Sequence, residues 1–207
     1  MKKILSLILI FLLLLSGCSK DNGAETTTTT TADDGNIVVS PTDETTDVIE
    51  IVEDEDYYQV TCCGFMFSYT LYDKDKEVVK TVESLNRQPN IDMVDDMIVR
   101  VYIQAGTGIT TRSTYYYDVE NNRFSESHNA VFDYCNGLLV RADHDKVIVQ
   151  SAFDNSFYQE ITDFSASFSP VAFPFVDINF IEDGQSIEVT YHSGDDYTEV
   201  TEIFEVN

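Results

Sequence analysis

Within Gln185-Ser186-Ile187-Glu188-Val189-Thr190-Tyr191, polar and apolar side chains alternate without interruption from Ser186 to Tyr191. A period of two places Ile187, Val189 and Tyr191 on one face of a strand and Glu188 and Thr190 on the other, so one face is buried and one is wet. Asp183-Gly184 precedes this stretch and Ser193-Gly194-Asp195-Asp196 follows it. Both are turn sequences, so the segment pairs with Val176–Glu182 before it and with Val200 and its neighbours after it.

The same grammar runs upstream. Phe65–Tyr72 and Glu77–Val82 flank Asp73-Lys74-Asp75-Lys76. Ile91–Val94 and Met97–Gln104 flank Asp95-Asp96, and Tyr115–Glu120 and Arg123–Ser125 flank Asn121-Asn122. Leu138–Ala142 and Lys146–Gln150 flank Asp143-His144-Asp145. Asn tolerates the left-handed backbone that a tight hairpin turn requires. All 12 Tyr and 12 of the 13 Phe lie between residues 57 and 207. Aromatic and β-branched enrichment without a 3.6-residue period predicts strands. We expect an all-β domain over 57–207, built as an antiparallel meander of hairpins.

Met97–Val101, Lys146–Gln150 and Gln185–Val189 each follow a strand and an acidic turn. A strand, acidic turn, strand, loop, strand unit of roughly 40 residues resembles a β-propeller blade. The resemblance implies three to four blade-like units. A β-sandwich satisfies the same pattern.

The remainder of the chain has another character. Ser19–Asp56 has six consecutive threonines, Thr26 to Thr31, and 12 acidic residues against Lys20 alone. Such a stretch buries too little apolar surface to offset its ordering entropy. With Cys18 it forms the expected segment 18–56, a flexible tether with an rms reach of about 35 Å. Val48–Val52 is its exception, either a short first strand or the tether's end.

Residues 1–17 read as a removable signal segment. Lys2 and Lys3 are followed by an apolar run, Ile4 to Leu15, too short to span about 30 Å of hydrocarbon. Leu15-Ser16-Gly17-Cys18 closes it. These four residues resemble the lipobox of bacterial lipoproteins: an aliphatic residue, a small residue, Gly or Ala, then Cys. The resemblance implies that the Cys18 thiol takes a diacylglyceryl group. It also implies that a signal peptidase, recognising Leu15, Ser16 and Gly17, cuts before Cys18. The chain would then be anchored at the outer face of the bacterial cytoplasmic membrane, with the membrane as its partner through Cys18. Ser19 is not the Asp that retains Gram-negative lipoproteins, so both envelope types stay open.

The chain carries 37 Asp and Glu against 12 Lys and Arg, a formal charge of −25. This excludes nucleic acid as a partner, because a phosphate backbone requires a basic surface. Removing Cys18 leaves three cysteines, Cys62, Cys63 and Cys135, an odd number. A Cys62–Cys135 or Cys63–Cys135 bridge and three thiols both fit. His128, His144 and His192 belong to no metal or triad signature, and no Gly-x-Ser-x-Gly occurs. Asp95-Asp96 and Asp195-Asp196 read as solvated turns, because no loop follows the Asp-x-Asp-x-Asp-Gly calcium pattern. Gly106-Thr107-Gly108 lacks the Lys and helix of a phosphate loop. Tyr115-Tyr116-Tyr117 could form an aromatic platform, but in a strand Tyr116 turns away from the other two. Asp163–Pro170 is a polar and aromatic connector without assignable chemistry. We therefore expect no catalytic, metal or cofactor site. The expected function is a non-enzymatic binding or structural module. The alternatives are an envelope hydrolase on an all-β scaffold and an accessory subunit of a transporter or receptor.

Overall fold

The computed structural model describes residues 48–207, so Leu15, Ser16, Gly17, Cys18 and most of the 18–56 segment lie outside the described residues. What is described is all-β: four antiparallel sheets, in which strands adjacent in sequence pair with one another.

Sheet one contains β1 (Ile49–Asp54), β2 (Tyr58–Cys63), β3 (Met66–Tyr72) and β4 (Val78–Leu85). Sheet two contains β5 (Asn90–Asp95), β6 (Ile98–Gln104), β7 (Arg112–Asp118) and β8 (Arg123–Phe124), with β9 (His128–Asn129) also pairing with β7. Sheet three contains β10 (Val131–Cys135), β11 (Leu138–Asp143), β12 (Lys146–Ser151) and β13 (Tyr158–Ile161). Sheet four contains β14 (Phe175–Ile181), β15 (Ser186–Ser193) and β16 (Thr198–Glu205). Among the described residues no ladder joins one sheet to another, so the meander forms four separate sheets and no closed barrel.

Val48–Val52 supplies a strand, the first of the two alternatives. Ile49 lies opposite Cys63 and Ile51 opposite Thr61, with a bulge between Ile51 and Glu53. The repeat is real but phased differently from the three echoed segments. Of those, β6 and β15 are the second strands of their sheets, whereas β12 is the third of sheet three. The true period is read from first strands, which begin at 49, 90, 131 and 175.

The turns follow local chemistry. Between β3 and β4, Asp73 accepts from the backbone N–H of Asp75 and of Glu77, both at 2.9 Å, and Lys76 takes φ 63. Asn122 reverses the chain between β7 and β8 at φ 47.

Apolar faces pack sheet on sheet. Tyr58, Val60, Tyr69 and Leu71 of sheet one meet Ile91, Val99, Val101 and Tyr117 of sheet two. The opposite face of sheet two, through Ile98 and Tyr116, meets Val131, Tyr134 and Leu139 of sheet three. Sheet three then turns Val140, Val147 and Val149 towards Ile178, Ile187, Val189 and Tyr191 of sheet four. Sheets two and three are buried on both faces, which is why β12 reads as a continuous Val147-Ile148-Val149 run. β15 keeps the one-sided alternation expected of it: Ile187, Val189 and Tyr191 are buried while Glu188 and Thr190 are half-exposed.

The 162–174 connector closes over the inner face of sheet four. Phe164 meets Phe168, Phe175, Tyr191 and Phe204 with ring centroids 4.9 to 5.9 Å apart. Its backbone is tied down as well, with Ala166 N donating to Tyr191 Oη at 3.3 Å and Ser169 Oγ to the Gly194 carbonyl at 2.6 Å.

Candidate binding sites

A cavity of about 250 Å³ opens beside the β10–β11 turn, lined by Arg123, Asn136, Gly137, Ser151, Phe153 and Ser156 among others. Arg123 follows the Asn121-Asn122 turn directly, and that turn aims it back along β7. Its Nε donates to Asp118 Oδ2 at 2.9 Å, and its guanidinium stands 4.7 Å from the Phe153 ring centroid. Asp118 is buried and also accepts from Asn121 N at 3.0 Å and from Asn121 Nδ2 at 2.9 Å. Burial pushes the Asp118 carboxyl up, but the bonds from Asn121 and Arg123 outweigh it and hold the group below the usual carboxylate range. The Ser151 and Ser156 hydroxyls meet at 2.7 Å. Asp154 also lines the cavity, 4.0 Å from Arg123 and accepting from Ser156 N at 2.9 Å, so Arg123 stands between two carboxylates beside the serine hydroxyls. No histidine lines it, so its serines have no imidazole base beside them.

A second, more open cleft of about 420 Å³ is acidic. Glu55, Asp56, Asp95 and Asp96 line it together with Tyr57, Met93 and Val94. Lys76 Nζ lies 2.8 Å from Asp56 Oδ1 and 4.9 Å from the Tyr57 ring centroid. Asp95-Asp96 thus joins other carboxylates across the fold. Among the described residues, no three His, Cys, Asp or Glu side chains are placed to hold a metal ion.

The third arrangement is a polar row along β7. Arg112, Thr114 and Tyr116 alternate and so share the face turned towards sheet three, where Tyr116 stacks on Tyr134 with centroids 4.8 Å apart. His128 on β9 is the cross-strand partner of Thr114. Arg112 lies on the Tyr102 ring, 4.5 Å from its centroid. From sheet three, Arg141 Nε donates to Gln150 Oε1 at 3.1 Å. Burial pushes the His128 imidazole below its ordinary value, and the positive charge of Arg141 pushes it further.

The remaining candidates are dispersed. Cys62 donates weakly to the Gly64 carbonyl at 3.4 Å, and Cys135 is a thiol in sheet three, so neither bridge to Cys135 forms. Cys63 takes the other face of β2, opposite Met66. His144 is exposed in its turn and contacts Asp143 Oδ1 at 2.7 Å. His192 contacts the Tyr197 carbonyl at 3.2 Å. Asp196 caps the β15–β16 turn by accepting from Thr198 Oγ1 at 2.9 Å. The Gly106-Thr107-Gly108 loop folds onto Thr111, which donates to the Gly108 carbonyl at 2.8 Å and accepts from Gly106 N at 3.1 Å. Tyr115 and Tyr117 face sheet one and Tyr116 faces sheet three, so the three rings form no shared platform.

Sequence reasoning missed Arg112, Arg141 and the pairing of His128 with Thr114. One signal was available: the chain has five Arg against 37 acidic residues.

No family model matches the chain, and no curated protein matches it. Among solved structures it is similar to Kluyveromyces lactis Hsv2, at 11% identity over 76% of this chain and 49% of that one, with a TM-score of 0.39. It is also similar to KlHsv2 with loop 6CD replaced by a Gly-Ser linker, at 10% identity over 77% of this chain and 64% of that one, with a TM-score of 0.29. The chain spans about half the length of the first. At these scores no shared architecture follows.

Proposed function

We propose that the chain is an extracytoplasmic lipoprotein whose all-β domain works by binding. The observation that carries this is the succession of Lys2-Lys3, the apolar run Ile4 to Leu15, and Leu15-Ser16-Gly17-Cys18. Two acyl chains, at about 0.8 kcal/mol for each buried CH₂, suffice for stable membrane attachment. Diacylglyceryl on Cys18 then holds the domain at the outer face of the bacterial cytoplasmic membrane. The acidic, threonine-rich residues that follow act as a spacer, and their charge keeps the domain away from anionic head groups.

Binding rather than chemistry is favoured by the side chains at hand. The Arg123 cavity pairs its cation with Asp118 and brings no histidine to its serines. The test is metabolic labelling with a radioactive fatty acid. The wild-type chain takes up label and Cys18→Ala does not. Label retained by Cys18→Ala would remove the anchor.

A further inference from the structure

Four buried side-chain atoms find no hydrogen-bond partner among the described residues: Arg112 Nε, Thr114 Oγ1, Tyr116 Oη and His128 Nε2. All four belong to the polar row on β7 and its partner β9. Thr114 is 1% exposed and Tyr116 0%, while Arg112 and His128 are half-buried with the named atoms shielded on the face turned to sheet three. Native proteins leave few buried polar groups unsatisfied, and each one calls for an explanation. Four on one face of one strand pair point to a polar group that belongs there and comes from elsewhere.

Charge says which kind. Arg100 is held bidentately by Asp92, at 2.9 and 2.5 Å, and Arg123 is held by Asp118. Arg112 and Arg141 have no carboxylate within ion-pair distance among the described residues; Arg87 has none either, but it donates to the Gln104 carbonyl at 3.0 Å on the surface. That is notable in a chain with about three acids for each base. Instead Tyr102 carries the Arg112 guanidinium on its face, and Gln150 steadies Arg141 through a neutral contact. Neither partner carries a countercharge, and Asp143, two residues along β11, feels the Arg141 charge without pairing with it. His128 stands opposite Thr114, two residues along the same face from Arg112. Arg141 is the cross-strand partner of Val131, three residues on from His128, and Ala142 N donates to the Ala130 carbonyl at 3.1 Å. The Arg141 charge is felt at the His128 ring, and Glu126 is the one acid whose charge also reaches it. All three side chains are half-buried, and cations partly withdrawn from water beside one another are stabilised when an anion joins them. A guanidinium fork matches the planar or tetrahedral oxygens of such a group.

We propose that Arg112, Arg141 and His128 form a binding site for an oxyanion, a carboxylate or phosphate group of a small ligand, with the Thr114 hydroxyl at its floor. The inference rests on the binding-module reading and names the ligand class that the module takes. It does not depend on the lipid.

The experiment is an NMR titration of the full chain, following the ring resonances of His128, His144 and His192. Inorganic phosphate and malonate are added separately, with sodium chloride at equal ionic strength as the control. The expected result is a saturable shift of the His128 signal with one of the two probes, and unchanged His144 and His192 signals. Saturation by phosphate alone assigns a phosphate ligand, and saturation by malonate alone assigns a carboxylate. Arg112→Gln and Arg141→Gln each weaken binding about tenfold, the loss expected for one charge-assisted contact. Lys74→Gln, in the exposed β3–β4 turn, leaves binding unchanged.

No saturable His128 shift with either probe would overturn the proposal, as would equal shifts of all three histidines or an equal effect of chloride. Should a glutamine variant not fold, the wild-type titration decides alone. Fatty-acid labelling of Cys18 on the same preparations is scored separately, so loss of the anchor and loss of anion binding are told apart.

Discussion

The hydroxyls of Tyr69 and Tyr115 meet at 2.7 Å, one from β3 in sheet one and the other from β7 in sheet two. Each gives the other a partner inside an apolar contact, and burial pushes both hydroxyls above their ordinary value. Lys80 Nζ lies 4.1 Å from the Tyr115 ring centroid, and its own value is lowered by burial. Tyr69→Phe leaves the Tyr115 hydroxyl without this partner and should cost about 1–3 kcal/mol. Adding Tyr115→Phe removes the second polar group, so the double variant should lose less than the sum of the singles. Urea denaturation of the four proteins measures the coupling. Strictly additive losses would show that the pair contributes nothing.

Asp118 links stability to acid. Its folded carboxyl titrates below its unfolded value of about 3.9. The stabilisation is therefore complete above that value and is lost as the pH falls through the depressed folded value. Asp118→Asn should cost about 1–3 kcal/mol at neutral pH, since it weakens the acceptor for Asn121 and Arg123. The gap between wild type and variant should hold from neutral pH down to about 5 and narrow below about 4. A gap independent of pH would contradict the assignment.

Leu71 and Phe65 are separated by six positions and by opposite surroundings. Leu71 is 0% exposed between sheets one and two, whereas Phe65 in the β2–β3 turn is 92% exposed. Leu71→Ala should cost about 2–5 kcal/mol and Phe65→Ala less than about 0.5 kcal/mol, both read by chemical denaturation. Comparable losses at the two sites would place the core elsewhere.

Asn136-Gly137 joins β10 to β11 with φ values of 50 and 83. A Cβ at Gly137 would meet nothing within 4 Å, so the cost of Gly137→Ala is conformational alone. It should be about 1–2 kcal/mol in thermal or urea unfolding. A neutral result would mean that the turn adopts another conformation without effort.

That turn also shows where sequence reading stopped short. Asn-Gly between strand residues is the strongest short hairpin signal, yet the residues before it were not paired with Leu138–Ala142. The acidic turns at 73–76, 95–96 and 143–145 were legible because polar turn residues interrupt apolar runs sharply. The alternation in β15 was legible because sheet four buries one face. In sheets two and three both faces are buried, alternation vanishes, and the repeat was phased one strand late at Lys146–Gln150. The aromatic connector at 162–174 has no period at all, since its rings fill a concavity rather than a pleated face. The β7 row stayed hidden for a different reason. Arg112 and His128 meet through a ladder, and Arg141 joins them from another sheet, so no local spacing joins them.

Pairing between strands adjacent in sequence, with β9 on β7 as the exception, has a kinetic consequence. Most hairpins close loops of a few residues, and short loops cost little entropy to close. Such a chain should fold faster than a Greek-key β protein of similar size, whose ladders wait for distant segments to find each other. Each sheet can zip up as soon as its own residues are present. A polypeptide made or delivered from its amino end can finish sheet one before sheet four exists.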